Sequence, residues 1–321
     1  MPVAAVFASH SPLKDFKTPA GDVAERVDAC LADVRAAVAD WAPDLVLCYG
    51  PDHYNGFFYR LMPPFCIGTA VESVGDWATP RGALPVAEEQ ALACVRHLHD
   101  NEIDVSLSHH MEVDHGITQL LMQLFDWQNL PETLPIFVTC AASPLPPLKR
   151  VIALGEAVGD YIAQFEARTQ RRILLTASGG LSHDPPIPQL ATAPEAVRKR
   201  LIEGGTLSPA ARAARQDKVL ADADAQITGE SRQRELNPEW DEHFLAMFAH
   251  ADYGELLNRE DAEITEQAGC GGHEVRTWIA ARATLSRCNS EIPSRNFYSA
   301  IPAWVAGFGL ATAGLGLSAV Y

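Results

Sequence analysis

The sequence predicts an α/β fold with a mainly parallel or mixed central sheet flanked by helices. First, short and nearly continuous apolar runs alternate with longer helical patterns, which is typical of strands covered on both faces. Second, helical spacing dominates after about residue 190. Third, no long linker or internal repeat divides the 321 residues. We therefore expect a single domain, 1–321, whose helix-rich C-terminal part (about 190–321) packs on the same sheet.

Six apolar runs are predicted to form buried strands, because they are short and nearly continuous. They cover 3–8, 44–49, 64–69, 103–107, 134–140 and 172–177. Helices are predicted between them at 21–41, 85–100, 115–127 and 148–168. The first of these helices carries an apolar stripe formed by Val23, Val27, Leu31, Val34 and Val38. Further helices are predicted over 194–203, 208–226, 260–268 and 273–287.

The charge balance restricts the class of partner. The chain has 25 Lys and Arg against 41 Asp and Glu, so its formal net charge is −16. A nucleic-acid surface is therefore not expected, because phosphate binding depends on Lys and Arg. An anionic substrate would need a local cluster of positive groups or a metal ion.

The cysteines indicate a reducing compartment. The seven cysteines are widely spaced and form no CxxC pair. We interpret them as reduced and mostly buried thiols of a cytoplasmic protein. The first fifteen residues lack the basic and apolar pattern of a secretory signal.

The C-terminal residues 303–321 carry no charge and approach the length of a membrane span. They consist mostly of Ala and Gly, which insert weakly and form poor helices. A membrane span is therefore disfavoured, and we expect a buried C-terminal tail or an oligomer contact.

Histidines follow the predicted strands at the points where these strands end. His10 follows 3–8, His53 follows 44–49, and His183 follows 172–177. His115 comes shortly after 103–107, beyond His109 and His110, which are interpreted as possible pocket lining. Ligands of open α/β sheets bind outside the carboxyl ends of the strands, so we expect a shared site at that edge. Solvated or structural roles are expected for His97, His99, His243 and His250.

Such a cluster suits a transition metal. Neutral imidazole binds Fe, Zn, Cu and Ni, and two His with one carboxylate are typical of non-haem Fe(II) sites. Two further histidines are suited to acid and base roles near neutral pH. Glu274 follows a Gly-rich turn and opens a predicted helix, so it is one candidate carboxylate. Its spacing does not select it over other acidic residues, since carboxylates are also favoured in a first helical turn.

Five short segments resemble the class III extradiol ring-cleavage dioxygenases of the LigB-like superfamily. They are Ser9–Pro12, Pro51–Phe58, Met62–Cys66, Val113–Gly116 and Gly179–His183. Three later segments extend the resemblance beyond residue 300: Leu236–Asp241, His273–Trp278 and Ile301–Gly309. The segments PDHYNGFF and GGLSH, in this order, carry most of its specificity.

The resemblance implies a site and a reaction. It implies Fe(II) held by His10, His53 and Glu274, with His115 as the proton donor and His183 as the proton acceptor. The similarity is greatest to members that cleave 3-(2,3-dihydroxyphenyl)propanoate or 2,3-dihydroxycinnamate with O₂. The family also implies a homo-oligomer, a tetramer or higher.

Tyr54, Asn55 and Phe57 follow His53 closely and are candidates for lining an aromatic substrate pocket, with ordinary core packing as the alternative. The sequence does not identify a partner for the side-chain carboxylate of the substrate.

Three alternative functions stay open at this level. The same His and Glu residues would suit a zinc-dependent hydrolase, because zinc also accepts two His and one Glu with an open position. A non-catalytic metal-binding protein is the second alternative, although it would need neither His115 nor His183. An extradiol dioxygenase for another 3-substituted catechol is the third. The identity of the metal and the uptake of O₂ distinguish among them.

Overall fold

The computed structural model describes residues 2–289 and 291–318. Their strands are β1 (Val3–Ala8), β2 (Leu45–Gly50), β3 (Phe65–Gly68), β4 (Val71–Val74), β5 (Arg81–Ala83), β6 (Ser106–Ser108), β7 (Met111–Val113), β8 (Glu132–Val138), β9 (Ile173–Ser178), β10 (Ser294–Ile301) and β11 (Ala306–Ala313). Their helices are α1 (Val23–Trp41), α2 (Glu88–Asp100), α3 (His115–Leu124), α4 (Leu148–Thr169), α5 (Glu195–Glu203), α6 (Pro209–Thr228), α7 (Pro238–His250), α8 (Asp261–Ala268) and α9 (Val275–Cys288).

Eight strands form a mixed central sheet in the order β10-β11-β1-β9-β2-β8-β3-β6. The strands β1, β9, β2 and β8 run parallel to their neighbours, whereas β10 and β11 form an antiparallel edge. The predicted α/β class with a mixed sheet flanked by helices is confirmed. A smaller sheet, β5-β4-β7, lies apart from the central one and was not predicted.

Strand β1 shows why its apolar run is continuous. Val3, Ala5 and Phe7 belong to one apolar cluster, and the alternate residues Ala4 and Val6 belong to another. Successive side chains of a strand point to opposite faces, so both faces of β1 are covered and need apolar side chains.

Helix α1 packs on the second of these clusters through the predicted stripe, of which Val27, Leu31, Val34 and Val38 are buried. Helices α4 and α9 contribute to the first cluster. Gly155 allows their close approach, because a Cβ at this position would overlap the backbone oxygen of Ala280.

Most predicted elements agree with the structure to within a few residues. The run 103–107 differs, because its only paired part is the short edge strand β6. Helix α7 and strands β4, β5, β7, β10 and β11 were not predicted. The apolar pattern of these strands is short or diluted by Gly and Ala, so it gives a weak periodic signal.

The C-terminal tail is buried, as expected for one of its two interpretations. All eight residues of β11 are buried, and the strand pairs with β1 and β10. Residues 319–321 of the same predicted segment lie outside the described residues. Within the described ranges, no helix has the length and apolar character needed to cross a membrane. All seven cysteines are free thiols.

Candidate metal centre and active site

Three neighbouring parallel strands deliver three of the predicted histidines to one edge of the central sheet. His10 follows β1, His183 follows β9, and His53 follows β2. His115 arrives differently: it is the first residue of α3 and follows β7 of the small sheet. The structure therefore brings all four histidines together, although it routes His115 through a sheet that the sequence did not predict.

Glu274 lies between these histidines. It ends a tight turn, Gly271–Glu274, immediately before α9, and only 2% of its surface is exposed. Its carboxylate oxygens lie 3.1 Å from Nε2 of His53 and 3.5 Å from Nε2 of His10. The backbone N–H of Gly180 donates a hydrogen bond to the same carboxylate at 2.7 Å. Glu274 is thereby selected from the many acidic residues by position.

The other ring nitrogen of each of these two histidines is already engaged. Nδ1 of His10 lies 3.0 Å from the Ser178 hydroxyl, and Nδ1 of His53 lies 3.2 Å from the Asp114 carboxylate. These contacts orient both rings so that Nε2 points toward Glu274, which is the usual arrangement for metal-binding histidines.

The spacing of these atoms suits a metal ion. Two ligands that bind a metal at about 2.1 Å and at right angles lie about 3 Å apart. The separations of 3.1 and 3.5 Å between Glu274 and the two imidazoles fit this geometry. The ligand atoms of His10, His53 and His115 also lie within 4.8 Å of one another. The site is therefore a His-rich potential metal centre.

The charges of the site favour metal binding as well. Burial lowers the pKa of His10 to about 3, so its imidazole is neutral and offers a lone pair. Burial alone would raise the pKa of Glu274, but His183 and His10 hold it well below its usual value. Burial also opposes protonation of His53, whereas Asp114 and Glu274 together raise its pKa. A buried carboxylate beside neutral or exchangeable imidazoles can bind a cation.

His115 lies against the candidate ligands and is tied to a carboxylate. Its Nδ1 lies 2.6 Å from an oxygen of Asp76, and its backbone N–H donates to the other oxygen at 2.9 Å. Its ring stacks on that of His53, with centroids 4.4 Å apart and an angle of 16° between the planes. Because Asp76 engages Nδ1, Nε2 is left as the ring atom available for chemistry.

His183 is held by backbone rather than by a side chain. Its Nδ1 donates to the Leu181 carbonyl at 2.9 Å, and its Nε2 lies 3.3 Å from Glu274. The ring occupies a slot that only glycine permits, because a Cβ at Gly180 or Gly271 would overlap it. The Gly-rich turns before His183 and Glu274 thus have a steric reason.

A cleft of about 570 Å³ of non-atom space, which includes its opening, leads to these groups. This volume lies within the range of small-molecule sites. The walls include His10, His53, His115 and His183 together with Leu13, Trp77, Ile187, Val219, Trp304 and Arg215. An aromatic ring is suited to such apolar walls.

The expected pocket residues Tyr54, Asn55 and Phe57 are absent from the described walls of this cleft, which corrects that expectation. The Tyr54 hydroxyl donates to the Ala141 carbonyl, and the Phe57 ring stacks on Phe137 at 3.8 Å. Asn55 instead donates to Asp114 at 2.8 Å. The physical reason is the loop itself, because Asp52 accepts hydrogen bonds from its backbone N–H groups and folds it tightly.

The remaining histidines lie elsewhere. His109 and His110 are exposed and do not line the cleft, and Nδ1 of His109 lies 2.8 Å from the Thr69 hydroxyl. His97, His99, His243 and His250 are also absent from its walls.

Three supporting carboxylates were missed by sequence reasoning. Asp76 engages His115, and Asp114 accepts from the backbone N–H of His53 and of Gly116. Asp241 is fully buried and accepts from both the backbone and the hydroxyl of Ser182, next to His183. Only Asp114 had a signal, because it adjoins His115. Asp76 carries no signal at all.

Comparisons with known proteins agree with this site. Residues 4–309 match the family model described as the catalytic LigB subunit of aromatic ring-opening dioxygenase. A Rhodococcus sp. protein named 2,3-dihydroxyphenylpropionate/2,3-dihydroxicinnamic acid 1,2-dioxygenase is 46% identical over 98% of both chains. Proteins of the same name from Mycolicibacterium smegmatis and Rhodococcus jostii are 43% and 44% identical. These alignments cover 98% of this chain and 99% and 98% of the relatives, respectively. The chain belongs to the LigB family of aromatic ring-opening dioxygenases.

Proposed function

We propose that this protein is an extradiol dioxygenase that cleaves the ring of 3-(2,3-dihydroxyphenyl)propanoate and of 2,3-dihydroxycinnamate. The observation that carries the proposal is the meeting of two oriented imidazoles and Glu274 with two further histidines in one cleft. The names of the relatives support the choice of substrate. The reaction is 3-(2,3-dihydroxyphenyl)propanoate + O₂ → 2-hydroxy-6-oxonona-2,4-dienedioate, in which both oxygen atoms enter the product.

Fe(II) is the metal that we assign to the centre, held by Nε2 of His10, Nε2 of His53 and the carboxylate of Glu274. Two His and one carboxylate with open positions are typical of non-haem Fe(II) oxygenases. When bound, this ion supplies Lewis acidity toward the catechol oxygens and a path for electrons between the ring and O₂.

His183 is assigned as the proton acceptor. Its Nδ1–H donates to the Leu181 carbonyl, so Nε2 carries the lone pair and faces the site. This tautomer can remove a proton from a catechol hydroxyl.

His115 is assigned as the proton donor. The Asp76 carboxylate at 2.6 Å favours the protonated imidazole, which presents a proton at Nε2. The two histidines thus occupy one cleft with different partners, and the apolar walls around them limit the access of water.

The assembly and location are further parts of the proposal. We assign residues 1–321 to a single catalytic domain in the cytoplasm, and the free cysteines support a reducing location. A homo-oligomer, tetramer or higher, rests on the family resemblance, and light scattering after gel filtration measures it.

The test is anaerobic loading with Fe(II), followed by addition of the propanoate substrate and air. We expect stoichiometric O₂ uptake and a yellow ring-cleavage product. The same protein loaded with Zn(II) is the control and should consume no O₂. Absence of O₂ uptake with iron demonstrably bound, over a panel of catechols, would contradict the proposal and favour a hydrolase or a non-catalytic protein.

A further inference from the structure

We propose that Arg215 binds the side-chain carboxylate of the substrate and thereby selects catechols with an anionic 3-substituent. The inference rests on the proposed function and adds a residue to it. The observation behind it is the position of one guanidinium in a cleft whose other walls are histidine, apolar and small polar residues. Among the described residues that line this cleft, Arg215 is the only Lys or Arg.

Arg215 is held close to the metal centre. It lies on α6, and its Nη2 donates to the backbone carbonyl of His53 at 2.7 Å. The guanidinium is therefore fixed to the backbone of a proposed iron ligand. Val219, one turn further along α6, lines the same cleft, so this face of the helix forms part of the wall.

The charge of Arg215 is not matched by a carboxylate. No Asp or Glu in the described part of the chain forms an ion pair with it, whereas most paired arginines of this protein lie at the surface. One hydrogen bond to a carbonyl leaves other N–H donors of the planar guanidinium unused. Such a fork matches a carboxylate, which can accept two parallel hydrogen bonds.

The surroundings strengthen the local positive charge. Burial, then repulsion from Arg215, lowers the pKa of Arg200, so these guanidinium groups lie close together. Arg212 also contributes to this lowering. In a chain with a net charge of −16, a concentration of positive charge at this place favours an anionic ligand.

The position also suits the chemistry of the substrate. A catechol ring between His115 and His183 would place its 3-substituent within the same cleft. The propanoate chain ends in a carboxylate, and a charged hydrogen bond to a guanidinium is stronger than one between neutral groups. An uncharged 3-alkylcatechol would make no use of Arg215.

The experiment compares the propanoate substrate with uncharged 3-propylcatechol in the iron-loaded protein. We expect Arg215→Gln to lower kcat/KM for the propanoate by roughly 10- to 100-fold, and for 3-propylcatechol by less than about threefold. Anaerobic titration should show the same weakening as a higher Kd for the propanoate, independently of turnover. Arg215→Lys should restore part of the affinity, because it keeps the charge but not the fork.

Two matched variants separate this role from others. Arg212→Gln removes one positive charge from the same helix outside the cleft, and it should leave the preference for the propanoate intact. Arg200→Gln removes the equivalent bond to the neighbouring carbonyl of Tyr54, so it tests anchoring of the loop.

An equal loss on both catechols in Arg215→Gln would overturn the inference and assign Arg215 to anchoring alone. An unchanged ratio with unchanged rates would overturn it as well. If the wild-type protein cleaves neither catechol, the proposed function fails instead, and the propanoate Kd still tests Arg215.

Discussion

The two histidines proposed for proton transfer lie in contrasting environments. His115 opens a helix and is held by the two oxygens of Asp76, one on Nδ1 and one on the backbone N–H. His183 lies in a glycine-rich loop and is held by the carbonyl of Leu181. A carboxylate stabilises a protonated imidazole, whereas a neutral carbonyl mainly selects the tautomer. The partner, and not the residue type, therefore separates a proton donor from a proton acceptor.

Glu274 modifies this contrast. Burial would lower the pKa of His183, but the Glu274 carboxylate at 3.3 Å raises it. The same carboxylate is assigned to the metal, so this effect belongs to the metal-free protein. The comparison thus predicts that the state of the metal affects the His183 side more directly than the His115 side.

The largest effect is expected when either imidazole is removed. His115→Ala and His183→Ala should each lower kcat by about 10²–10⁴-fold and keep bound iron, because neither is assigned as a ligand. His10→Ala, His53→Ala and Glu274→Ala should lose the iron itself. Metal analysis of all five purified variants checks the division, and equal iron in every variant would break it.

A smaller effect is expected when only the partner of His115 changes. Asp76→Asn keeps a side chain of similar shape but removes its charge, so kcat should fall by roughly 10- to 100-fold with iron retained. KM for the catechol should change little, because Asp76 is not among the described residues that line the cleft. Asp126→Asn, at an exposed turn, is the control and should behave as wild type. A normal kcat in Asp76→Asn would remove the proposed distinction between the two histidines.

The steric support of His183 gives a third test. Gly271→Ala would place a methyl group where the His183 ring now lies, so the ring must shift. We expect roughly a tenfold loss of kcat without loss of iron, since small displacements of a catalytic group are costly. Gly254→Ala is the control, because its added Cβ would meet only an ordinary contact. An unchanged rate in Gly271→Ala would show that the position of His183 is not critical.

The smallest effect is expected outside both environments, at Phe57. Phe57→Leu breaks the stack on Phe137 and should lower the free energy of unfolding by about 1 kcal/mol. The kcat/KM should stay within about twofold of wild type, as for a substitution away from the cleft. Leu61→Ala, at a side chain that is 82% exposed, is the control for denaturant unfolding. A strong rise in KM for Phe57→Leu would return this residue to the substrate pocket.

Much of the architecture was predictable because local patterns report it. Strand β1 was predicted with its observed bounds, since its residues are buried on both faces and form an unbroken apolar run. The small sheet and the edge strand β11 escaped prediction, because short strands and runs of Ala and Gly carry little periodicity. Tyr54, Asn55 and Phe57 were predicted from proximity along the chain, but the hydrogen bonds of Asp52 fold their loop away from such a role.

The sequence by itself determined the alternation of strands and helices, the placement of His10, His53 and His183 after strands, and a family resemblance that singled out Glu274. The tertiary structure decided how these residues meet. Glu274 lies 221 residues from His53 along the chain, Asp76 lies 39 residues from His115, and Arg215 lies 162 residues from His53. Periodicity indicates which side chains are buried, but not which distant side chain they contact. Those pairings follow from strand order and helix packing, which bring separate parts of the chain to one edge of the sheet.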